Sequence, residues 1–164
     1  MSENSDQTKN NLVKILKRSI DESPGGIISF YQFINELLYS HPESYYQNHN
    51  EIFGDQGDFV TAPGLSPIFT RVVAKKISSI IKRLKNPVVV EFGAGDGRFS
   101  LECFRYLKKR HENITYWIIE ISESLKTTQQ TYLREGLCSE DFHCIKWFSN
   151  LPKIAFEGVV FANE

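Results

Sequence analysis

Val88-Val89-Val90-Glu91-Phe92-Gly93-Ala94-Gly95-Asp96-Gly97-Arg98 is the stretch on which the fold turns. Residues 88–92 form a short, nearly continuous apolar run, as in a parallel strand buried on both faces. Asn86-Pro87 before it interrupts any preceding helix. Glycines at three alternate positions then permit a tight turn and let the main chain lie against a ligand at the strand's carboxyl end. From Arg98 to Arg110, the residues Phe99, Leu101, Phe104 and Leu107 recur at helical spacing. A strand that feeds a glycine turn and then a helix begins a doubly wound α/β sheet.

The same grammar continues downstream. Residues 114–121 predict a second strand, and Ser122 caps a helix that Gly136 can close as a left-handed C-terminal residue. Residues 142–148 and 158–161 predict strands three and four, the last running into Ala162-Asn163-Glu164.

Upstream, Leu12, Val13, Ile15, Leu16 and Ile20 mark an amphipathic helix that Pro24-Gly25-Gly26 ends. Ser29 caps a second helix carrying Phe30, Phe33, Ile34, Leu37 and Leu38. Residues 41–65 have no period, and a loop of about 25 residues in a compact domain is expected to bind something. Ser66-Pro67 then opens a long helix to about Lys85. The expected organisation is a disordered polar tail at 1–10, N-terminal helices with a cofactor-covering loop at 11–85, and a partial Rossmann-like domain at 86–164. A parallel sheet that stops at its fourth strand leaves an open edge, so the chain reads as the front part of a longer protein or half of a split one.

Composition narrows the function classes. The 164 residues are one domain's worth of material, able to bury a core without disulfides or metal. With 19 basic and 20 acidic side chains, the chain lacks the broad positive footprint of a non-specific nucleic-acid binder. No apolar run approaches the ~18 residues of a membrane span, so no membrane insertion is expected. Cys103, Cys138 and Cys144 form no CxxC pair and read as reduced, mostly core-lining thiols. The N-terminus resembles neither a secretory signal nor a mitochondrial presequence, and the expected location is cytoplasmic. His41, His49, His111 and His143 share no ligand spacing, so no metal site is assigned. Lys108-Lys109-Arg110-His111 reads as a solvated helix end favoured by the helix dipole. Tyr31, Phe33, Tyr45, Tyr46, Phe53 and Phe59 either shape a substrate cleft or pack the N-terminal helices against the sheet.

The glycine turn departs from a dinucleotide fingerprint, which needs glycine where this chain has Arg98. Glu91 and Asp96 would repel a pyrophosphate, and no Gly-Lys-Ser/Thr follows for a P-loop. The pattern E-x-G-x-G-x-G is similar to that of class I S-adenosylmethionine (SAM) methyltransferases, whose cofactor carries a cationic sulfonium and an amino group. Glu120 ends the second strand 23 residues beyond Gly97, where an adenosine ribose would present its hydroxyls. The plain alternative for Glu120 is a solvated strand end. Ser149-Asn150 either meets the adenine edge or is an ordinary turn.

From about Pro24 to Glu164 the chain resembles the MidA family of SAM-dependent methyltransferases, relatives of the mitochondrial complex I assembly methyltransferase that acts on a protein arginine. The resemblance rests on several words in order. They are Gly57-Asp58-Phe59-Val60-Thr61-Ala62-Pro63, Ser66-Pro67 with Phe69, Glu91 to Gly97, and Ile119-Glu120-Ile121-Ser122 with Gln129-Gln130. Trp147, Leu151-Pro152 and Ala162-Asn163-Glu164 complete the series.

The family implies an open Rossmann-like class I sheet, of which this chain holds the first four strands, with SAM as cofactor and a protein as substrate. Glu91, Gly93, Gly95 and Gly97 would line the methionine end and Glu120 the ribose, while Asp58, Thr61, Ala62 and Pro63 would fold over the cofactor. Where relatives often have aspartate after the third strand this chain has Ser149. Glu164 would attract and orient a guanidinium, with Asn163 as a hydrogen-bond partner; the alternative for Glu164 is a disordered end. A homodimer is left open. Two rival functions stand beside the methyltransferase: a non-catalytic SAM-binding assembly factor or inactive fragment, and a nucleotide-dependent oxidoreductase, against which Arg98 argues.

Overall fold

The computed structural model describes residues 2–47, 52, 57–58 and 66–163. The chain divides into two units, residues 1–50 and 51–164.

In the first unit, helix α1 (Ser2–Asp21) packs against α2 (Phe30–Leu38). Leu12, Ile15, Leu16 and Ile20 are half-buried, while Lys14, Lys17 and Arg18 face out. The helix takes in the polar residues 2–10 expected as a tail. No Gly or Pro interrupts 2–21, so nothing local stops helix propagation. A single 3₁₀ turn, Pro24–Gly26, ends it. The Ser29 hydroxyl caps α2 by accepting from the Gln32 amide at 3.1 Å. Behind α2, the Tyr39 and Tyr46 rings stack, and Tyr45 meets Tyr46 edge-on. Tyr31 is 78% exposed.

The second unit holds α3 (Pro67–Ile81), β1 (Val88–Phe92), α4 (Arg98–Lys108), β2 (Thr115–Ile119), α5 (Glu123–Gly136), a short α6 (Ser139–Phe142), β3 (Ile145–Phe148) and β4 (Gly158–Ala162). The strands form one parallel sheet in the order β3-β2-β1-β4. One face carries Val89, Tyr116, Ile118 and Ile145 and is covered by α3, α4 and α5 through Ala74, Ile77, Ile81, Phe99, Phe104, Leu107 and Leu133. On the other face Val88, Val90, Trp117 and Ile119 are covered in part by Phe148 and Phe156. The β4 strand is an edge, and its Val160 is 55% exposed.

Four expectations change. The unit boundary falls at 50/51 rather than 85/86, because α3 buries Ala74, Ile77 and Ile81 in the sheet's core. Strand three begins at Ile145 rather than 142, because Phe142 is the last residue of α6, whose first turn carries Glu140 and Asp141 at its positive end. Gly136 does not adopt the left-handed conformation; it is the last residue of α5. A Cβ there would lie 2.7 Å from the Leu101 side chain, so its smallness serves packing, and Arg105 Nη2 donates to its carbonyl at 2.5 Å. Of the cysteines, Cys103 alone is buried, while Cys144 is partly buried and Cys138 exposed.

Candidate cofactor site at the carboxyl edge of the sheet

Register aligns the ends of all four strands. Phe92 pairs with Ile119 and with Ala162, and Ile119 pairs with Phe148. The next residues in each strand are therefore Gly93, Glu120, Asn163 and Ser149, set in one row at the carboxyl edge. That edge, beside a point where strand order reverses, is where open α/β sheets bind ligands. In the order β3-β2-β1-β4 the reversal lies between β1 and β4.

The turn after β1 is shaped by its glycines. Gly93, Gly95 and Gly97 all have left-handed φ, of 64°, 56° and 86°. At Gly97 a Cβ would also lie 2.8 Å from Leu133 Cδ1, so the residue is fixed both by conformation and by close approach of α5. At Gly93 the requirement differs: no described atom lies within 4 Å of a Cβ built there, leaving open space above the loop. The Gly93 amide donates to Ile119 O at 3.0 Å, which ties the loop to the end of β2.

Asp96 occupies the start of α4. Its Oδ1 accepts from the Arg98 amide and its Oδ2 pairs with Arg98 Nε, both at 3.1 Å. A helix N-terminus is a ready anion site, and here a carboxylate already fills it. Together with Glu120 nearby, this makes the loop a poor cradle for a pyrophosphate.

Glu120 is buried, and both of its oxygens are engaged. Oε1 accepts from the Ser122 amide at 2.9 Å and Oε2 from Gln129 Nε2 at 3.0 Å. Burial raises its pKa, while the bonds from Ser122, Gln129 and the Ile121 backbone oppose the rise. A carboxylate offers about four lone-pair positions, so these bonds leave room for a further donor. A ribose diol has two such donors.

Glu91 sits differently from the rest of the row. Its side chain lies on the helix-covered face, where its Oε2 accepts from Ser100 Oγ at 2.5 Å and from Tyr116 OH at 2.9 Å. Burial lifts its pKa to about 7 against the pull of those two bonds, with Asp96 and Glu120 adding to the rise. Burial likewise pushes up the Tyr116 phenol and the Cys103 thiol, so both stay neutral. Glu91 therefore underpins the loop from behind.

Of the other residues singled out from sequence, Ser149 is exposed and Asn163 half-buried at the row. Asp58 is exposed. Thr61, Ala62, Pro63 and Glu164 lie outside the described residues, as do His49, Phe53 and Phe59. Among the described residues no group of three metal-ligating side chains converges. His111 Nε2 lies 2.8 Å from Ser78 Oγ, joining α3 to the turn after α4. A cavity of about 390 Å³ lies instead toward the amino ends of β1 and β4, lined by Lys85, Asn86, Trp117 and Glu157 among others. No helix among the described residues is long and apolar enough to cross a membrane.

Sequence reasoning missed Ser100 and Tyr116 as partners of Glu91, and it missed the part played by Gln129. The only hint of the last was Gln129-Gln130 within the family words.

A glycine turn and a buried acid at the carboxyl edge of a parallel sheet define a Rossmann-like α/β unit. Comparison with known proteins refines this. Residues 72–164 match the model of the Methyltransf_28 family, described as "Putative S-adenosyl-L-methionine-dependent methyltransferase", and the chain belongs to that family. It is 28% identical over 109 residues to the Drosophila melanogaster protein arginine methyltransferase NDUFAF7 homolog, mitochondrial, covering 63% of this chain and 25% of that protein. Against the Mus musculus protein arginine methyltransferase NDUFAF7, mitochondrial, identity is 28% over 118 residues, covering 67% and 27%. A COG1565 superfamily member from Burkholderia thailandensis, solved bound to S-adenosyl-homocysteine, superposes with a TM-score of 0.86 at 29% identity. That match covers 99% of this chain and 42% of the other. The chain thus spans about a quarter of the length of these curated relatives and about two-fifths of the solved one.

Proposed function

We propose that this chain carries the cofactor site of a SAM-dependent methyltransferase whose acceptor is a protein side chain, with arginine as the modified residue. The observation that carries the reading is Glu120: a buried carboxylate at the aligned strand ends, held by Ser122 and Gln129, with lone-pair capacity left for a further donor. Its setting beside an open, acid-flanked glycine loop suits a cationic nucleoside and disfavours a dinucleotide. The names of the curated relatives supply the arginine acceptor.

When bound, SAM supplies a methyl group on a positively charged sulfur. The protein's residues then have to hold and orient. Glu120 accepts from the ribose hydroxyls, and the Gly93–Gly97 main chain borders the methionine end with Glu91 behind it. Ser149 would meet the adenine side, and Asp58, Thr61, Ala62 and Pro63 would cover the ligand. An arginine guanidinium stays protonated at neutral pH, so a carboxylate is needed to draw it in and aim one nitrogen. Glu164 has that role and Asn163 assists it by hydrogen bonding. Positioning of this kind can supply roughly 7–11 kcal/mol of barrier lowering.

Calorimetric titration with S-adenosylhomocysteine tests the cofactor, and transfer of a labelled methyl group to an arginine-containing protein acceptor tests the reaction. Saturable heat is expected with S-adenosylhomocysteine and none with NAD. The reverse pattern overturns the proposal. Binding without transfer to any acceptor moves the chain to the class of non-catalytic SAM-binding factors.

A further inference from the structure

Gln129 lies on α5, fully buried. Its carboxamide is used on every side. Nε2 donates one hydrogen to Gly95 O and the other to Glu120 Oε2, each at 3.0 Å, and Oε1 accepts from Trp147 Nε1 at 3.1 Å. The orientation of the amide follows from the partners, since a carbonyl and a carboxylate can only accept and an indole nitrogen can only donate. Three pieces of the site meet on this one group: the glycine loop after β1, the acid after β2, and the third strand.

α5 lies close against the loop. Its Gln129 Cα would lie 3.5 Å, and its Leu133 Cδ1 2.8 Å, from a Cβ at Gly97. The length of Gln129 suits that spacing, since its Nε2 reaches Gly95 O and Glu120 Oε2 at 3.0 Å each. No other side chain reproduces the set. Glutamate cannot donate when ionised, methionine neither donates nor accepts strongly, and asparagine is one methylene short.

We propose that Gln129 is the positioning residue of this cofactor site: by holding the Glu120 carboxylate and the Gly95 carbonyl on one amide nitrogen, it sets recognition of the ribose hydroxyls. The proposal rests on the reading of Glu120 as the ribose acid. Oε2 of Glu120 would otherwise turn toward any available donor, and the loop carbonyl would lose the bond that fixes its direction. Trp147 completes the clamp by holding Oε1, so the amide cannot flip and present the wrong end.

The experiment compares the affinity of S-adenosylhomocysteine with that of its 2′,3′-dideoxyribose analogue in three proteins: the parent chain, Gln129→Met and Gln129→Glu. The parent should bind the dideoxy analogue at least about tenfold more weakly, as befits hydrogen bonds to a buried carboxylate. In Gln129→Met the two affinities should converge to within about twofold, chiefly because binding of the hydroxylated ligand falls. Gln129→Glu, of nearly the same size, should lose the discrimination likewise at pH 8, where an ionised carboxylate at this position offers Glu120 Oε2 no donor; circular dichroism checks that it folds. A purely structural role would lower both affinities together and keep their ratio, and that outcome in either folded variant overturns the proposal. A parent chain that binds neither ligand overturns the function reading, and this inference with it. A parent that discriminates alongside variants that do so equally well sinks the Gln129 inference alone.

Discussion

Replacing Glu91 by glutamine should remove a pH dependence of stability that the wild-type chain builds into its core. The carboxyl is 3% exposed and accepts two hydrogen bonds, both at Oε2, from uncharged donors. No cation is among the causes that set its pKa, and burial carries it from 4.5 to about 7. Between those values the native chain holds a proton that the unfolded chain has released. Stability therefore falls as pH rises through that window and levels off above about 7. The full change amounts to roughly 3 kcal/mol, at 1.36 kcal/mol per pH unit. Tyr116 and Cys103, the groups nearest to it, are shifted upward and do not titrate in this range.

Glutamine keeps a carbonyl oxygen for Ser100 and Tyr116 but carries no charge at any pH. Urea denaturation of the ligand-free wild type and Glu91→Gln at pH 5 and pH 8 measures the effect. The extra amide hydrogens add an offset common to both pH values, so the quantity to read is the difference of differences. The variant should gain about 2–3 kcal/mol on the wild type in going from pH 5 to pH 8. Parallel pH profiles for the two proteins would mean that Glu91 ionises in the fold as it does in water, and the account of its burial would be wrong.

Other outcomes follow from the same geometry. Glu120→Ala should weaken S-adenosylhomocysteine binding tenfold or more, the equivalent of about 1.4 kcal/mol; unchanged calorimetric affinity removes Glu120 from the site. Gly97→Ala combines a φ of 86° with a Cβ 2.8 Å from Leu133 Cδ1, and should cost about 1–3 kcal/mol in chemical denaturation. Gly93→Ala meets no described atom within 4 Å, so its stability loss should be the smaller of the two, with the larger effect on ligand affinity. Leu107→Ala empties a fully buried position between α4 and the sheet and should cost about 2–5 kcal/mol by the same assay.

Much of the sheet unit could be read from local signals. The apolar run at 88–92 with alternate glycines behind it specified strand, turn and helix. Ser29, Ser66 and Ser122 each cap the helix they announce, with hydroxyls accepting from Gln32, Ile68 and Leu125 amides. These features depend on neighbours in sequence. What escaped depends on neighbours in space. Gly136 looks like a helix terminator until Leu101 is seen against it, and α3 looks like part of an N-terminal helical region until its apolar stripe meets Phe99 and Phe104. At the site, Glu120 was legible because a strand end and a spacing suffice to suggest it. Gln129 was not, since its partners lie 34, 9 and 18 residues away and no periodicity links them. Glu91 was visible as an acid, yet its inward seat required the strand's facing to be known.

The chain's two tryptophans sit in opposite settings. Trp147 shares its indole hydrogen with Gln129, whereas Trp117 is packed edge-on against Phe148 and Phe156 with no described acceptor for its nitrogen. Light emitted by the first reports on the helix-covered layer, and light from the second on the opposite layer. With one indole at a time replaced by phenylalanine, the protein becomes its own pair of optical probes, able to show whether the two layers melt in step.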